Sequence, residues 1–98
     1  AAEVERVISE FPGIEEVAVI AARDERFGET PLAVIYARTD IDVPALVAHC
    51  GKHLSDYKVM RYVALHPEPL PRLATGKISK PELRRLYADA HTTLAKVR

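Results

Sequence analysis

Two short apolar runs constrain the fold most: VAVIAA (17–22) and LAVIYA (32–37), separated by the nine residues RDERFGETP. Branched side chains of Val and Ile pack well on a pleated surface, so both runs read as buried strands. A third strand is expected in RYVAL (61–65), closed by HPEPLP, whose three prolines cannot continue a sheet interior. Helical spacing surrounds these runs. Val4, Val7, Ile8 and Phe11 form one stripe, stopped by Pro12-Gly13. Asp42 is placed to cap a second helix with Pro44 in its first turn and Leu46, Val47, Cys50 and Leu54 as its apolar face. Ser79 and Glu82 predict a capping box for a third, with Pro81 in the first turn and Leu83, Leu86 and Tyr87 buried. The order helix, strand, strand, helix, strand, loop, helix predicts an α+β fold, a small two-layer sandwich of a three-stranded sheet packed with helices.

At 98 residues, 48% apolar and 29% charged, the chain has the composition of one ordinary globular domain spanning 1–98 and is too short for two independent cores. It opens inside a helical pattern, with no cap or leader before Ala1, so it is expected to be part of a longer protein. No apolar run approaches the length of a membrane span. The single Cys50 excludes an internal disulfide framework and fits a reducing compartment, with cytoplasm as the expected location.

Charge is balanced overall but not along the chain. Residues 1–42 carry four basic and ten acidic side chains, residues 43–69 three and two, and residues 70–98 seven and two. A basic C-terminal third hints at an anionic partner, phosphate above all. A nucleic-acid module is disfavoured, because the aromatics are scattered rather than set out as a stacking platform and the net charge is zero. The glutamates Glu3, Glu5, Glu10, Glu15 and Glu16 read as a solvated face. His49 and His53, four apart on a helix, have a spacing compatible with a metal, but no acidic or Cys ligand is placed nearby except Cys50, which lies on the apolar stripe; exposed histidines and no metal are expected. A core role suffices for Cys50.

The segment LPRLATGKISK (70–80) carries the chemical question. A phosphate-cradling Walker loop needs Gly first in G-x-x-x-x-G-K-[ST] and a hydroxyl after the Lys; here Pro71 and Ile78 stand at those places. What remains is Gly76, free to take an unusual backbone angle, and Lys77 beside it, just before a helix start at Ser79. By residue type alone, Lys77 would be a solvated surface lysine.

Read together and in order, EVERVISEFPGIEEVAVIAARDERFGETPLAVIYA, LSDYKVMRYV and LPRLATGKISKPELRRL closely resemble the C-terminal domain of the adenylate-forming superfamily: acyl-CoA synthetases, peptide-synthetase adenylation domains and luciferases. The resemblance runs from about residue 2 to residue 86. It implies that Lys77, in a loop with Arg72, Thr75 and Gly76, enters the active site of an N-terminal adenylation domain of the same polypeptide and bridges the carboxylate substrate and the ATP phosphates. It further implies Mg²⁺ and ATP bound mainly by that other domain, and a lid that then swings to seat the thiol, about a hinge upstream of AEVE. The sequence departs from the family pattern at Leu73, where Thr is usual, and at Met60, where Pro is usual.

The same resemblance offers Phe27, Gly28, Tyr57, Lys58 and Arg61 as CoA contacts, aromatic faces for the adenine and cations for phosphate, although Val59 occupies one position that is basic in such clamps. Packing at the domain edge accounts equally well for Phe27 and Tyr57. YKVM and GKISKPELRR favour the CoA-ligase subgroup over peptide-synthetase members, which tend to read YMVP and GKVDR. The alternatives are a peptide-synthetase subdomain, whose thiol is carrier-bound, and a non-catalytic interaction module of the same fold. Lys77 also resembles lysines acetylated in acyl-CoA synthetases, a change that would remove its charge.

Overall fold

The computed structural model describes residues 2–24, 26 and 28–97. Helix α1 (Ala2–Ser9) is followed by strands β1 (Ile14–Asp24) and β2 (Gly28–Ala37), helix α2 (Val43–His53), a 3₁₀ turn (Asp56–Lys58), strand β3 (Tyr62–Leu65) and helices α3 (Lys80–Leu86) and α4 (Ala90–Thr93). The sheet order is β1-β2-β3. The two apolar runs pair antiparallel, Val19 opposite Ala33 and Ile20 opposite Leu32. Both strands extend beyond those runs and absorb most of the nine-residue connection. Ala22, Asp24 and Thr30 stay buried along it, and Gly28, at φ +80°, takes an angle that side chains rarely adopt where β2 begins.

β3 runs parallel to β2, with Leu32 opposite Tyr62 and Val34 opposite Ala64. Parallel neighbours need a crossover, which α2 supplies. Asp42 caps that helix by accepting the Ala45 N–H at 3.1 Å, as its place before Pro44 leads one to expect.

Alternation along the strands sorts side chains to two faces. Val19, Ala33 and Ile35 meet Val4, Val7 and Ile8 of α1 and Leu46 and Cys50 of α2, together with Val59 and Met60. Ala18, Ile20, Leu32, Val34, Tyr62 and Ala64 face the other way, onto Leu70, Leu83 and Ala90. The fold is α+β around a three-stranded sheet, as expected, with its helices divided between the faces and a core on each. Met60, where a proline was usual, is fully buried.

Some local expectations change. Leu86 is 46% exposed, so α3 docks through Leu83, with Tyr87 half-buried beyond it. The capping box is half made. Ser79 Oγ accepts the Glu82 N–H at 3.3 Å, but the Ser79 N–H is already donated to the Pro71 carbonyl and the Glu82 carboxylate is taken by Arg85. One-turn α4 has no periodicity long enough to be seen in sequence. No helix among the described residues is long and apolar enough to cross a membrane.

Leu83→Ala should lower stability by about 2–5 kcal/mol through a cavity under α3, whereas Leu86→Ala should stay within about 0.5 kcal/mol; urea unfolding of the two variants measures both. Equal losses would mean that α3 docks through both leucines.

Candidate functional site

The loop before α3 is a small hairpin. Arg72 and Ile78 form an antiparallel bridge, the Leu73 N–H donates to the Lys77 carbonyl at 2.7 Å, and the Gly76 N–H donates to the Leu73 carbonyl at 2.9 Å. Gly76 sits at φ +92° with open space where a Cβ would go, so glycine is required by the backbone angle and not by crowding. Leu70 and Ile78 root the hairpin in the second core. Lys77 is exposed at the end of the turn, and among the described residues no carboxylate or other acceptor holds its ammonium. Thr75 is exposed in the same turn.

Arg72 serves this loop from below. Its guanidinium bonds the Gly76 carbonyl at 2.7 Å and pairs with the Glu16 carboxylate from β1. Glu16 also accepts the Leu70 N–H at 2.8 Å. Burial works to raise the Glu16 pKa; the Leu70 N–H and the Arg72 guanidinium together outweigh it and hold the carboxyl below the ordinary glutamate value. One carboxylate from the sheet therefore clamps both the entry to the loop and the arginine that braces its tip.

The acidic start of the chain is thus not simply a solvated face. Glu5 accepts the Val19 N–H at 2.8 Å and pairs with Lys80 at 2.8 Å, Glu3 pairs with Lys58 at 2.7 Å, and Asp24, its side chain fully buried, pairs with Lys96 at 3.1 Å. Much of the charge asymmetry along the sequence is complementarity between the first third and later segments. Spacing gives no sign of such pairs, because the partners lie 14 to 75 residues apart or more closely only in space.

A second region forms around the 3₁₀ turn. Tyr57 is 74% exposed, and Lys58 lies 5.8 Å from its ring centroid. The hydrogen bond that Lys58 donates to Glu3, and the attraction between their charges, raise the pKa of Lys58 and lower that of Glu3. A groove of about 450 Å³ opens beside this pair, between the start of α1, β1, β2 and α3. Val19, Ala21 and Pro31 line it, and Lys80 and Arg84 of α3 join Tyr57 and Lys58 there. Neither α3 cation was singled out from sequence; their four-residue spacing on a helix was the available signal. Gly28 and Arg61 are not in the groove lining. Half-buried Arg61 donates its N–H to the Pro31 carbonyl at 3.1 Å and receives the Val97 N–H at 2.7 Å. Phe27 lies outside the described residues.

His49 is half-buried rather than exposed, its Nε2 3.1 Å from the Val7 carbonyl and its ring against Phe11 and His53. Among the described residues no group of three His, Cys, Asp or Glu side chains is gathered as for a metal. Cys50 is fully buried, and burial pushes its thiol pKa up, the opposite of what a nucleophile needs.

The family model described as the AMP-binding enzyme C-terminal domain matches residues 3–77. The long-chain-fatty-acid–CoA ligase FadD13 of Mycobacterium tuberculosis is 41% identical over 88 residues, 89% of this chain and 17% of the relative. The 2-succinylbenzoate–CoA ligase of Listeria monocytogenes is 37% identical over 86 residues, 88% of this chain and 18% of that protein. Among solved structures, a Mycobacterium tuberculosis fatty acyl CoA synthetase superposes with a TM-score of 0.84 at 40% identity, covering 91% of this chain and 18% of that one. ATP-bound MatB from Rhodopseudomonas palustris superposes at 0.85 and 30% identity, covering 93% and 18%. The chain spans less than a fifth of the length of the curated relatives it matches.

Glu16→Gln should cost about 1–3 kcal/mol of stability at neutral pH, since it removes a charge-assisted pair and weakens the acceptor for Leu70. Because the folded pKa of Glu16 is depressed, its contribution is present above the ordinary glutamate value and is lost as pH falls through the lowered one. Urea midpoints should therefore converge for the two proteins in acid. A gap that persists unchanged there would show that Glu16 acts by packing alone.

Proposed function

Because the chain belongs to the AMP-binding enzyme C-terminal domain family, we propose that it is the C-terminal lid of an ATP-dependent acyl-CoA synthetase, in which Lys77 serves the adenylation step. One observation carries this reading: Lys77 is exposed on a hairpin that is rooted at both ends, and among the described residues nothing neutralises it. A lysine with only a surface role has no need of a glycine at φ +92° beside it or of an arginine braced beneath the turn. The resemblance to CoA ligases supports the CoA branch over a carrier-bound thiol.

In adenylation, a carboxylate oxygen bonds to the α-phosphorus of ATP as the bond to pyrophosphate breaks. Negative charge gathers on the transferring group and on the departing pyrophosphate. Lys77 is placed to meet those oxygens when the lid closes on the N-terminal adenylation domain of the same polypeptide, and it stabilises the transition state electrostatically. Its ammonium is a compact charge on a long flexible stem, which suits reach across a domain gap better than a planar guanidinium. Arg72, Thr75 and Gly76 shape the loop; Arg72, held by Glu16 and Gly76, contributes by bracing it. Mg²⁺ and the main ATP contacts are assigned to the N-terminal domain. Afterwards the lid turns and presents the Tyr57–Lys58 side to CoA, with Phe27, Gly28 and Arg61 as further candidate contacts. The proposed location is the cytoplasm, a reducing compartment that the free Cys50 fits.

In the full-length enzyme, Lys77→Ala should reduce acid-dependent ATP–pyrophosphate exchange by about 100-fold or more, while thioester formation from a supplied acyl adenylate and CoA stays within a few-fold of wild type. Intact exchange would return Lys77 to the status of an ordinary surface lysine.

A further inference from the structure

We propose that the tail after α4, residues 94–97, is a strap that positions the closed end of the β1–β2 pair and the entry to β3 for the thiol half-reaction, with Lys96 as its positioning residue. The inference rests on the CoA-ligase reading and concerns a segment beyond residue 77, where the family match ends. α4 stops at Thr93, and Leu94 leaves it in an extended conformation, at φ −112° and ψ 144°. Anchors of three different kinds then follow in quick succession. The Leu94 side chain packs onto the second core, which also holds Ala90. Lys96 reaches Asp24 at the end of β1, its Nζ 3.1 Å from Oδ2. The Val97 N–H donates to the Arg61 carbonyl at 2.7 Å.

Each polar anchor falls where position matters. Asp24 faces Gly28 in the last pair of the β1–β2 register, and its Oδ1 accepts the Arg26 N–H at 2.7 Å, so this carboxylate holds the closed end of the strand pair. The side chain is fully buried, and a carboxylate withdrawn from water is stable only with charged or hydrogen-bonding partners. An ammonium brought in by the tail is one of them, on a lysine that is itself 44% exposed. At the other end of the strap, Arg61 donates its N–H to the Pro31 carbonyl of β2 at 3.1 Å, so that tail, β3 entry and β2 are joined in one row of backbone bonds. Gly28 and Arg61 are candidate contacts on the thiol side, and the strap fixes the backbone near both. The Lys77 hairpin is anchored elsewhere, through Glu16, Leu70 and Ile78. Lys96 and Val97 therefore act on one half-reaction and not on the other.

The test uses the full-length enzyme carrying Lys96→Met, Lys96→Arg or Val97→Pro, and follows thioester formation from a supplied acyl adenylate and CoA, acid-dependent ATP–pyrophosphate exchange and the urea midpoint. Lys96→Met should raise the KM for CoA about tenfold with exchange within about twofold of wild type, and Lys96→Arg, which keeps the charge, should return that KM to the wild-type range. Val97→Pro removes the N–H given to Arg61 and keeps both charges; it should raise the same KM, and it carries the test if Lys96→Met does not fold. A lowered urea midpoint with an unchanged KM for CoA would reduce the tail to a stabilising element and overturn the proposal. So would equal losses in the two half-reactions. If the wild-type enzyme performs exchange but forms no thioester with CoA, it is the CoA reading that fails, and the assignment of the strap to the thiol side fails with it.

Discussion

The register of β1 against β2 is the constraint on which the rest of the molecule depends. With Val19 opposite Ala33 and Ile20 opposite Leu32, alternate residues are delivered to α1 and α2 on one face and to α3 and α4 on the other. A slip by one residue would exchange the two faces along a whole strand. It would also move Glu16 away from Leu70 and Arg72, and with it the clamp that orients the loop carrying Lys77. The position of the exposed Lys77 is therefore set by pairing in the middle of the sheet.

Electrostatics acts on this frame in two ways. Pairs such as Glu16 with Arg72 and Asp24 with Lys96 join a buried or nearly buried carboxylate to a cation distant in sequence, where loss of one partner would strand the other. More exposed pairs, Glu3 with Lys58 and Glu82 with Arg85, add little stability, yet they decide which cations are occupied. Lys77 and Arg84 stand out because, among the described residues, no acceptor engages either. They lie on the loop and on the helix that follows it.

Legibility in the sequence followed the range of the interaction. The Asp42 cap, the α1 stripe and the strand runs were readable because a helix start or a buried strand is decided by residues within a few positions of each other. The reciprocal half of the Ser79–Glu82 box was not, since Pro71 and Arg85 compete for its two groups. Exposure of Leu86 was missed for a similar reason: the helical period names a face, but only the sheet beneath decides how far that face is covered.

From its order of residues alone the chain determined its element sequence apart from the 3₁₀ turn and one-turn α4, its α+β class, its family and the lysine at the centre of the functional reading, because each is carried by local spacing or by a motif in fixed order. Tertiary structure decided what those motifs could not hold. It brought Glu16 under the Lys77 loop across more than fifty positions of chain and gathered Tyr57, Lys58, Lys80 and Arg84 around one groove. Charges that look alike in sequence are separated in space into those that are paired and those left open. Coulombic and hydrogen-bonding partners are chosen by distance after folding, and distance is the quantity that a linear sequence does not carry.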